Sequence, residues 1–218
     1  MENSLFLNFH GRIIDHLGIQ MYQSPTAAIA EMVSNSWDAD ATEVNITLPT
    51  NEDFSITIQD NGIGMTQDEC QNKFLTVGYD KRKSNAKVLS RDLQRPLMGR
   101  KGIGKFAGFG IASVITVTTI SKDTGEKTSF VLDIDKIRDS SNQDYINTSK
   151  LTIDVIERVE PNEELKAQAG TTIKLTGLKM QRLISADFFS KSMARRFSVN
   201  ASAANFYVSV NGNIIPTE

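Results

Sequence analysis

The stretch Met98 to Phe106, MGRKGIGKF, constrains this chain more than any other. Its spacing is Gly99, four residues, Gly104, Lys105, which nearly spells a P-loop. A P-loop then needs a Ser or Thr to hold magnesium, and a strand directly before its first glycine. Phe106 cannot ligate a metal, and the preceding RDLQRPLM carries Arg95-Pro96, a poor end for a central strand. A dinucleotide fingerprint fails as well. Ala107 is a tolerated third position after Gly102 and Gly104, but again no clear strand leads in. Two readings remain. One is a plain glycine turn. The other is an anion cradle, in which three glycines free backbone N–H groups ahead of a helix start. Arg100, Lys101 and Lys105 would add positive charge to it.

The bulk numbers leave a nucleotide site open and narrow the rest. The 218 residues are ample for one full domain. A net charge of -2 gives no bulk reason to expect nucleic acid or an anionic membrane as partner. One cysteine, Cys70, excludes an internal disulfide framework and fits a reducing compartment. No basic-then-apolar leader opens the chain, and no apolar run approaches the roughly 18 residues that span a bilayer. A soluble cytoplasmic domain without membrane contact is expected. The strand-like end, FYVSVNGNIIP, reads either as a cut in a longer protein or as an edge strand, and an N-terminal piece of a longer protein is expected.

Periodicity places the elements. Residues 24–39, SPTAAIAEMVSNSWDA, read as a helix that Ser24 can cap and Pro25 can open. Strands are expected over 42–48 and 54–58, the second ending before Gln59-Asp60-Asn61-Gly62. A helix start is expected at Thr66, with Glu69 as capping-box partner. Residues 76–97 are basic and aperiodic and read as a long mobile loop. In IASVITVTTI the first part reads as a helix end and the second as a strand, followed by a hairpin into TSFVLDI. Residues 138–149 read as a loop, 151–159 and 171–178 as strands, 185–198 as a helix, and 206–215 as a hairpin around Asn211-Gly212. Helices early, strands after the glycine run and a helix late predict an α+β layered sheet.

Three further constellations could carry chemistry. Glu31, Asn35 and Asp38 share one face of the first helix, roughly opposite Ile29, Met32, Val33 and Ser36. This is either a solvated polar face or a cation and water site. A carboxylate can activate water, and an amide oxygen suits magnesium. Asp60-Asn61-Gly62-Ile63-Gly64-Met65 is either a glycine turn or a place where a carboxylate accepts from an exocyclic amine, with glycines letting a flat ring approach. Gly170-Thr171 is either a turn into a strand or a hydroxyl for a purine or a bound water.

In order, the motifs are Glu-x3-Asn-x2-Asp-Ala, Asp-x-Gly-x-Gly-Met, a basic loop, Gly-x2-Gly-x-Gly and Gly-Thr. This order resembles the GHKL superfamily of ATP-binding domains: gyrase B subunits, ninety-kilodalton heat-shock chaperones, MutL, histidine kinases and MORC ATPases. The resemblance spans about residues 10–178. It implies a Bergerat-type two-layer α/β sandwich, a mixed and mostly antiparallel sheet with helices on one face. It implies Glu31 as general base, Asn35 as the Mg2+ ligand and Asp38 as a pocket residue. Asp60 would be the adenine-amino partner, with Gly62, Gly64 and Met65 lining the base and Thr171 a water-assisted contact. Gly99, Arg100, Lys101, Gly102, Ile103, Gly104, Lys105 and Phe106 would form the phosphate loop, and residues about 66–98 the lid. ATP and Mg2+ are the implied cofactors, with homodimerisation on ATP binding in a full-length protein and slow hydrolysis by this chain alone. Glu31 favours an ATPase over a histidine-kinase-type phosphotransferase, which usually has Asn and Lys in this motif. A non-hydrolysing, nucleotide-gated scaffold is the third reading. TVGYDKRKSN (76–85) is similar to the Gly-x-Ser-x-Lys-Arg stretch of heat-shock-90-like and MORC-like bacterial ATPases, with Asp80 in place of a small residue.

Overall fold

A computed structural model of the chain describes residues 5–9, 24–76, 89–99, 104–141, 149–201 and 205–215. Their strands are β1 (Leu5–Phe9), β2 (Glu43–Thr47), β3 (Ile56–Asp60), β4 (Ala112–Ile120), β5 (Lys127–Asp133), β6 (Ser149–Val159), β7 (Gly170–Leu178), β8 (Tyr207–Val210) and β9 (Asn213–Ile214). They form one sheet in the order β1-β6-β5-β4-β7-β3-β2-β8-β9. Every neighbouring pair is antiparallel except β2 and β8, which run parallel. The helices are α1 (Pro25–Asp38), a short α2 (Gln67–Glu69) that widens into a π turn over Cys70–Phe74, α3 (Ile134–Ser141) and α4 (Ala186–Ala201). The architecture is the α+β arrangement expected, a mixed and mostly antiparallel sheet with several helices.

Alternation sets the strands. β2 hides Val44 and Ile46 and exposes Glu43, Asn45 and Thr47. Helical spacing sets α1, which buries Ala28, Ile29, Met32, Val33 and Ser36. Pro25 opens that helix, but Ser24, although extended at the N-cap, makes no side-chain cap bond. A 3₁₀ segment, Gly104–Gly110, wedges between α1 and the sheet. At Gly108 a Cβ would lie 2.8 Å from both Met32 Cε and Leu175 Cδ2 and 3.0 Å from Ile115 Cδ1. The glycine lets the helix and the β4–β7 pair close there without displacing those side-chain ends. Phe106 is buried in this layer and stacks on Phe109 at 6.3 Å with the rings 1° apart. The capping box at Thr66 and Glu69 forms as expected. So does the last hairpin, where Asn211 and Gly212 both take positive φ (49° and 79°), as a two-residue turn of the primed type needs.

Several expectations need correction. Ala112–Ile120 is strand throughout, so the reading of a helix end there fails; pairing with both β5 and β7 claims it. Helix α3 occupies Ile134–Ser141, overlapping the expected loop, whose residues 142–148 lie outside those described. Strand β3 runs Ile56–Asp60 rather than 54–58, because its register carries Asp60 opposite Val44 on one side and Thr171 on the other. Strand β1 was not anticipated; it has its partner in β6, more than a hundred residues on. Of the expected mobile loop, residues 77–88 lie outside those described, whereas 89–97 are held closely to α1. No described helix is long and apolar enough to cross a membrane.

Candidate nucleotide site

The register places one polar row across three adjacent strands. Asp60 on β3 faces Thr171 on β7, and Thr171 faces Thr119 on β4. Asp60 Oδ1 accepts from the Gly62 N–H (2.9 Å) and the Thr171 N–H (3.1 Å). Its Oδ2 accepts from the Ser36 hydroxyl of α1 (2.8 Å). The carboxylate therefore ties the helix to the sheet. Burial raises the Asp60 carboxyl above its ordinary value, against the opposing pull of the Gly62 N–H, the Ser36 hydroxyl and the Thr171 N–H.

Thr119 is fully buried and lies at the centre of the row. Its Oγ1 accepts from the Met65 N–H (3.0 Å) and shares a hydrogen bond with Thr171 Oγ1 (3.1 Å). Gly64 adopts φ +58°, and a Cβ there would collide with the Ile120 carbonyl. That glycine lets the 61–65 turn lie flat against the end of β4, where the Lys122 N–H also donates to Ile63 O (2.9 Å).

A second cluster stands on another face of the same helix, that of Glu31, Asn35 and Asp38. Asp38 accepts from the N–H groups of Met98 (2.7 Å) and Gly99 (3.0 Å). An added Cβ on Gly99 would lie 2.7 Å from Asp38 Oδ2 and 3.9 Å from Asn35 Oδ1. One on Gly104 would lie 2.7 Å from Glu31 Oε2. Glu31, Asn35 and Asp38 thus all point their oxygens at the glycine run. Asn35 offers one neutral oxygen where the run begins, a ligand of the hard-oxygen kind that would suit magnesium. Among the described residues no group of three His, Cys, Asp or Glu side chains gathers as a metal site. Glu31 also lines a cavity of about 490 Å³ with Ser34, Trp37, Met98 and Arg196. Of the expected phosphate loop, Arg100, Lys101, Gly102, Ile103 and the side chain of Lys105 lie outside the described residues. Phe106 is described, and its ring lies in the core rather than toward a ligand.

Four residues escaped the reading of the sequence. Ser36 was assigned to the face away from the polar residues, yet it reaches Asp60. Thr119 sits mid-pattern in a strand. Asp40, at positive φ just beyond α1, accepts from the N–H groups of Asp92 (2.7 Å) and Leu93 (3.1 Å). Burial would raise its carboxyl, but these N–H groups, the Ser90 hydroxyl and nearby Arg95 together bring it below the ordinary value. Arg95 is buried against the end of α1. An Asp one residue past the helix C-cap, where the backbone often turns left-handed and Asp tolerates it, is a signal for Asp40. No local pattern marks the other three.

A family model described as histidine kinase-, DNA gyrase B- and HSP90-like ATPase matches residues 22–171, more than half of the chain. The chain is 34% identical over 209 residues to a protein of Herpetosiphon aurantiacus named "Putative type II restriction enzyme HgiDII", covering 96% of this chain and 32% of that protein. It is 29% identical over 139 residues to the chaperone protein HtpG of Sulfurimonas denitrificans, covering 55% of this chain and 22% of that one. To HtpG of Burkholderia lata it is 35% identical over 123 residues, covering 56% and 16%. The chain spans about a third of the length of the first relative and less of the chaperones.

Proposed function

Since the chain belongs to the histidine kinase-, DNA gyrase B- and HSP90-like ATPase family, we propose that it binds ATP with Mg2+ between α1 and the sheet and hydrolyses it. In this reading residues 1–218 form one ATP-binding domain that works as the nucleotide-driven part of a longer protein. The observation that carries the proposal is the convergence on α1. Ser36 of that helix reaches the Asp60 row, while Glu31, Asn35 and Asp38 face the glycine run. In this reading one helix would reach both ends of the nucleotide.

The chemistry follows from the groups present. Asp60 accepts from the exocyclic amine of adenine, while the Thr171 hydroxyl, held by Thr119, places a water against the ring. Gly62, Gly64 and Met65 offer backbone to its flat face. Asn35 holds the magnesium ion, which when bound neutralises phosphate charge. Asp38 fixes Met98 and Gly99 so that the N–H groups of the following loop present themselves to the phosphates. Glu31 orients a water on the terminal phosphorus and takes its proton as the bond to the leaving oxygen breaks. Closure of the part of the 66–98 lid that precedes the segment held by α1, and pairing of two copies, would follow binding.

Two substitutions separate the roles. Asp60→Asn should weaken ATP binding roughly 10- to 150-fold, the worth of a hydrogen bond to a charged acceptor. Equal affinity by calorimetry would sink the assignment of the adenine end. Glu31→Ala should bind ATP as the parent does and release no phosphate in the full-length protein; undiminished turnover removes Glu31 as the base. The extended match to the restriction-type relative favours DNA over an unfolded client as the full protein's effector. Phosphate release that is indifferent to duplex DNA but rises with an unfolded protein would reverse that preference.

A further inference from the structure

The last turn of α1 grips residues 92–99 at several points, and Arg95 sits among them. Arg95 is only 6% exposed, although no family role above requires a cation there. Its Nη2 donates to the carbonyl oxygens of Trp37 (3.0 Å) and Ala41 (2.8 Å), at the end of the helix where the backbone dipole favours positive charge. The guanidinium lies 4.1 Å from the centre of the Trp37 ring and 5.6 Å from that of Phe206, and the two rings meet edge to face at 5.2 Å. Arg95 Nε and Nη1 are buried without a hydrogen-bond partner among the described residues. Burying a cation with two N–H groups unsatisfied costs stability, offset by the two carbonyl acceptors and by the nearby Asp40 and Asp38 carboxylates. What the cation adds is a fixed geometry.

The helix grips the segment in return. The Trp37 indole N–H donates to Pro96 O (2.9 Å), directly after Arg95. Asp40 holds the N–H groups of Asp92 and Leu93 before it, and Asp38 holds those of Met98 and Gly99 after it. The Arg95 N–H bonds Ser90 Oγ (2.9 Å), and Arg95 O accepts from the Ser90 N–H (2.8 Å), closing a tight loop. Asp40 keeps a positive φ of 61°, a conformation glycine would adopt more cheaply, and its carboxylate is what the segment uses.

We propose that Arg95 is a positioning residue that seats Pro96–Gly99 against Trp37 and Asp38 and so sets affinity for the phosphate end of the nucleotide, leaving the adenine end alone. The inference rests on the ATP reading above. It does not follow from that reading, because Arg95 touches neither end of the site. The two ends can be probed separately. Adenosine meets only the Asp60 row, whereas ATP meets the row and the glycine run.

Calorimetric titration of adenosine and of Mg-ATP into parent protein, Arg95→Met and Arg95→Lys tests it. Arg95→Met should keep its adenosine affinity within about 2-fold and lose at least about 10-fold for ATP, a gap worth about 1.4 kcal/mol per decade. Arg95→Lys, which keeps a donor for the two carbonyls but loses the planar stack, should fall between. Should Arg95→Met fail to fold, Trp37→Phe removes the bond to Pro96 while keeping a ring under the guanidinium, and it should show the same ATP-selective loss. Equal losses for both ligands, or none for ATP, overturn the proposal and leave the ATP reading standing. A parent protein that binds neither ligand overturns both.

Discussion

At Asp60 a single carboxylate answers two demands that oppose each other. In the proposed role it accepts from an amine, most strongly when ionised, and it is buried where charge is unwelcome. Three donors hold it, yet burial prevails and raises its titration above the ordinary value. The sign of the consequence is fixed by linkage. In the pH window between the ordinary and the raised value, the folded chain keeps a proton that the unfolded chain has lost. Stability therefore falls as pH rises through that window, and the loss is complete above it. Asp60→Asn carries no such charge. Its unfolding free energy relative to the parent should rise from about pH 4 upward and then level off, as urea denaturation at a series of pH values would show. A difference independent of pH would mean that the carboxylate is not held out of water. Asp60 was legible as a candidate because an acid stood before two glycines. Ser36 and Thr119 were not, because their partners lie 24 and 52 residues away in sequence. A serine buried on a helix face reads as packing until the opposing strand is known.

Elements show the same division between what is local and what is not. The capping box at Thr66, the Asn211-Gly212 hairpin and the core of α1 depend on near neighbours, and each was visible in the sequence. The strand nature of Ala112–Ile120 was only half visible, since the glycine-rich lead-in suggested a helix. Pairing with β5 and β7 decided it. Strand β1 has a partner only across the length of the chain. The turn over 61–65 joins both kinds of information. Glycine spacing marked it as special, but the reason for Gly64 is a non-local contact with the Ile120 carbonyl at the end of β4. Alanine there meets both a left-handed backbone and fixed main-chain atoms, so nothing can yield cheaply. Gly64→Ala should cost about 2–4 kcal/mol of unfolding free energy. It should also weaken adenosine binding, because the Met65 N–H can no longer reach Thr119. A melting temperature equal to that of the parent would show that the turn is free to move away from β4.

For the whole molecule the order of the motifs said more than any motif did. One early helix, a strand ending in an acid, a glycine run and a late Gly-Thr could be satisfied together by a layered sheet, and β3, β7 and β4 lie side by side to make that possible. A ligand between α1 and this sheet would touch segments that are distant in sequence. It would therefore bind the folded chain and not the unfolded one, and must stabilise it by mass action. At a hundred times its dissociation constant the gain is about 2.7 kcal/mol. For a domain of this size that amounts to a rise of about 5–11 °C in melting temperature. The comparison among variants carries the argument. Glu31→Ala should show the full rise with Mg-ATP, because its carboxylate acts on water and not on the bound nucleotide. Asp60→Asn, weakened roughly 10- to 150-fold, should keep at most about half of that rise at the same ATP concentration. Omitting magnesium should reduce the rise for the parent and for Glu31→Ala, while Asn35→Ala, lacking the oxygen for the ion, should give the same reduced rise with or without it. A parent protein whose melting temperature ignores Mg-ATP at millimolar concentration would show that the two polar clusters on α1 do not form one site.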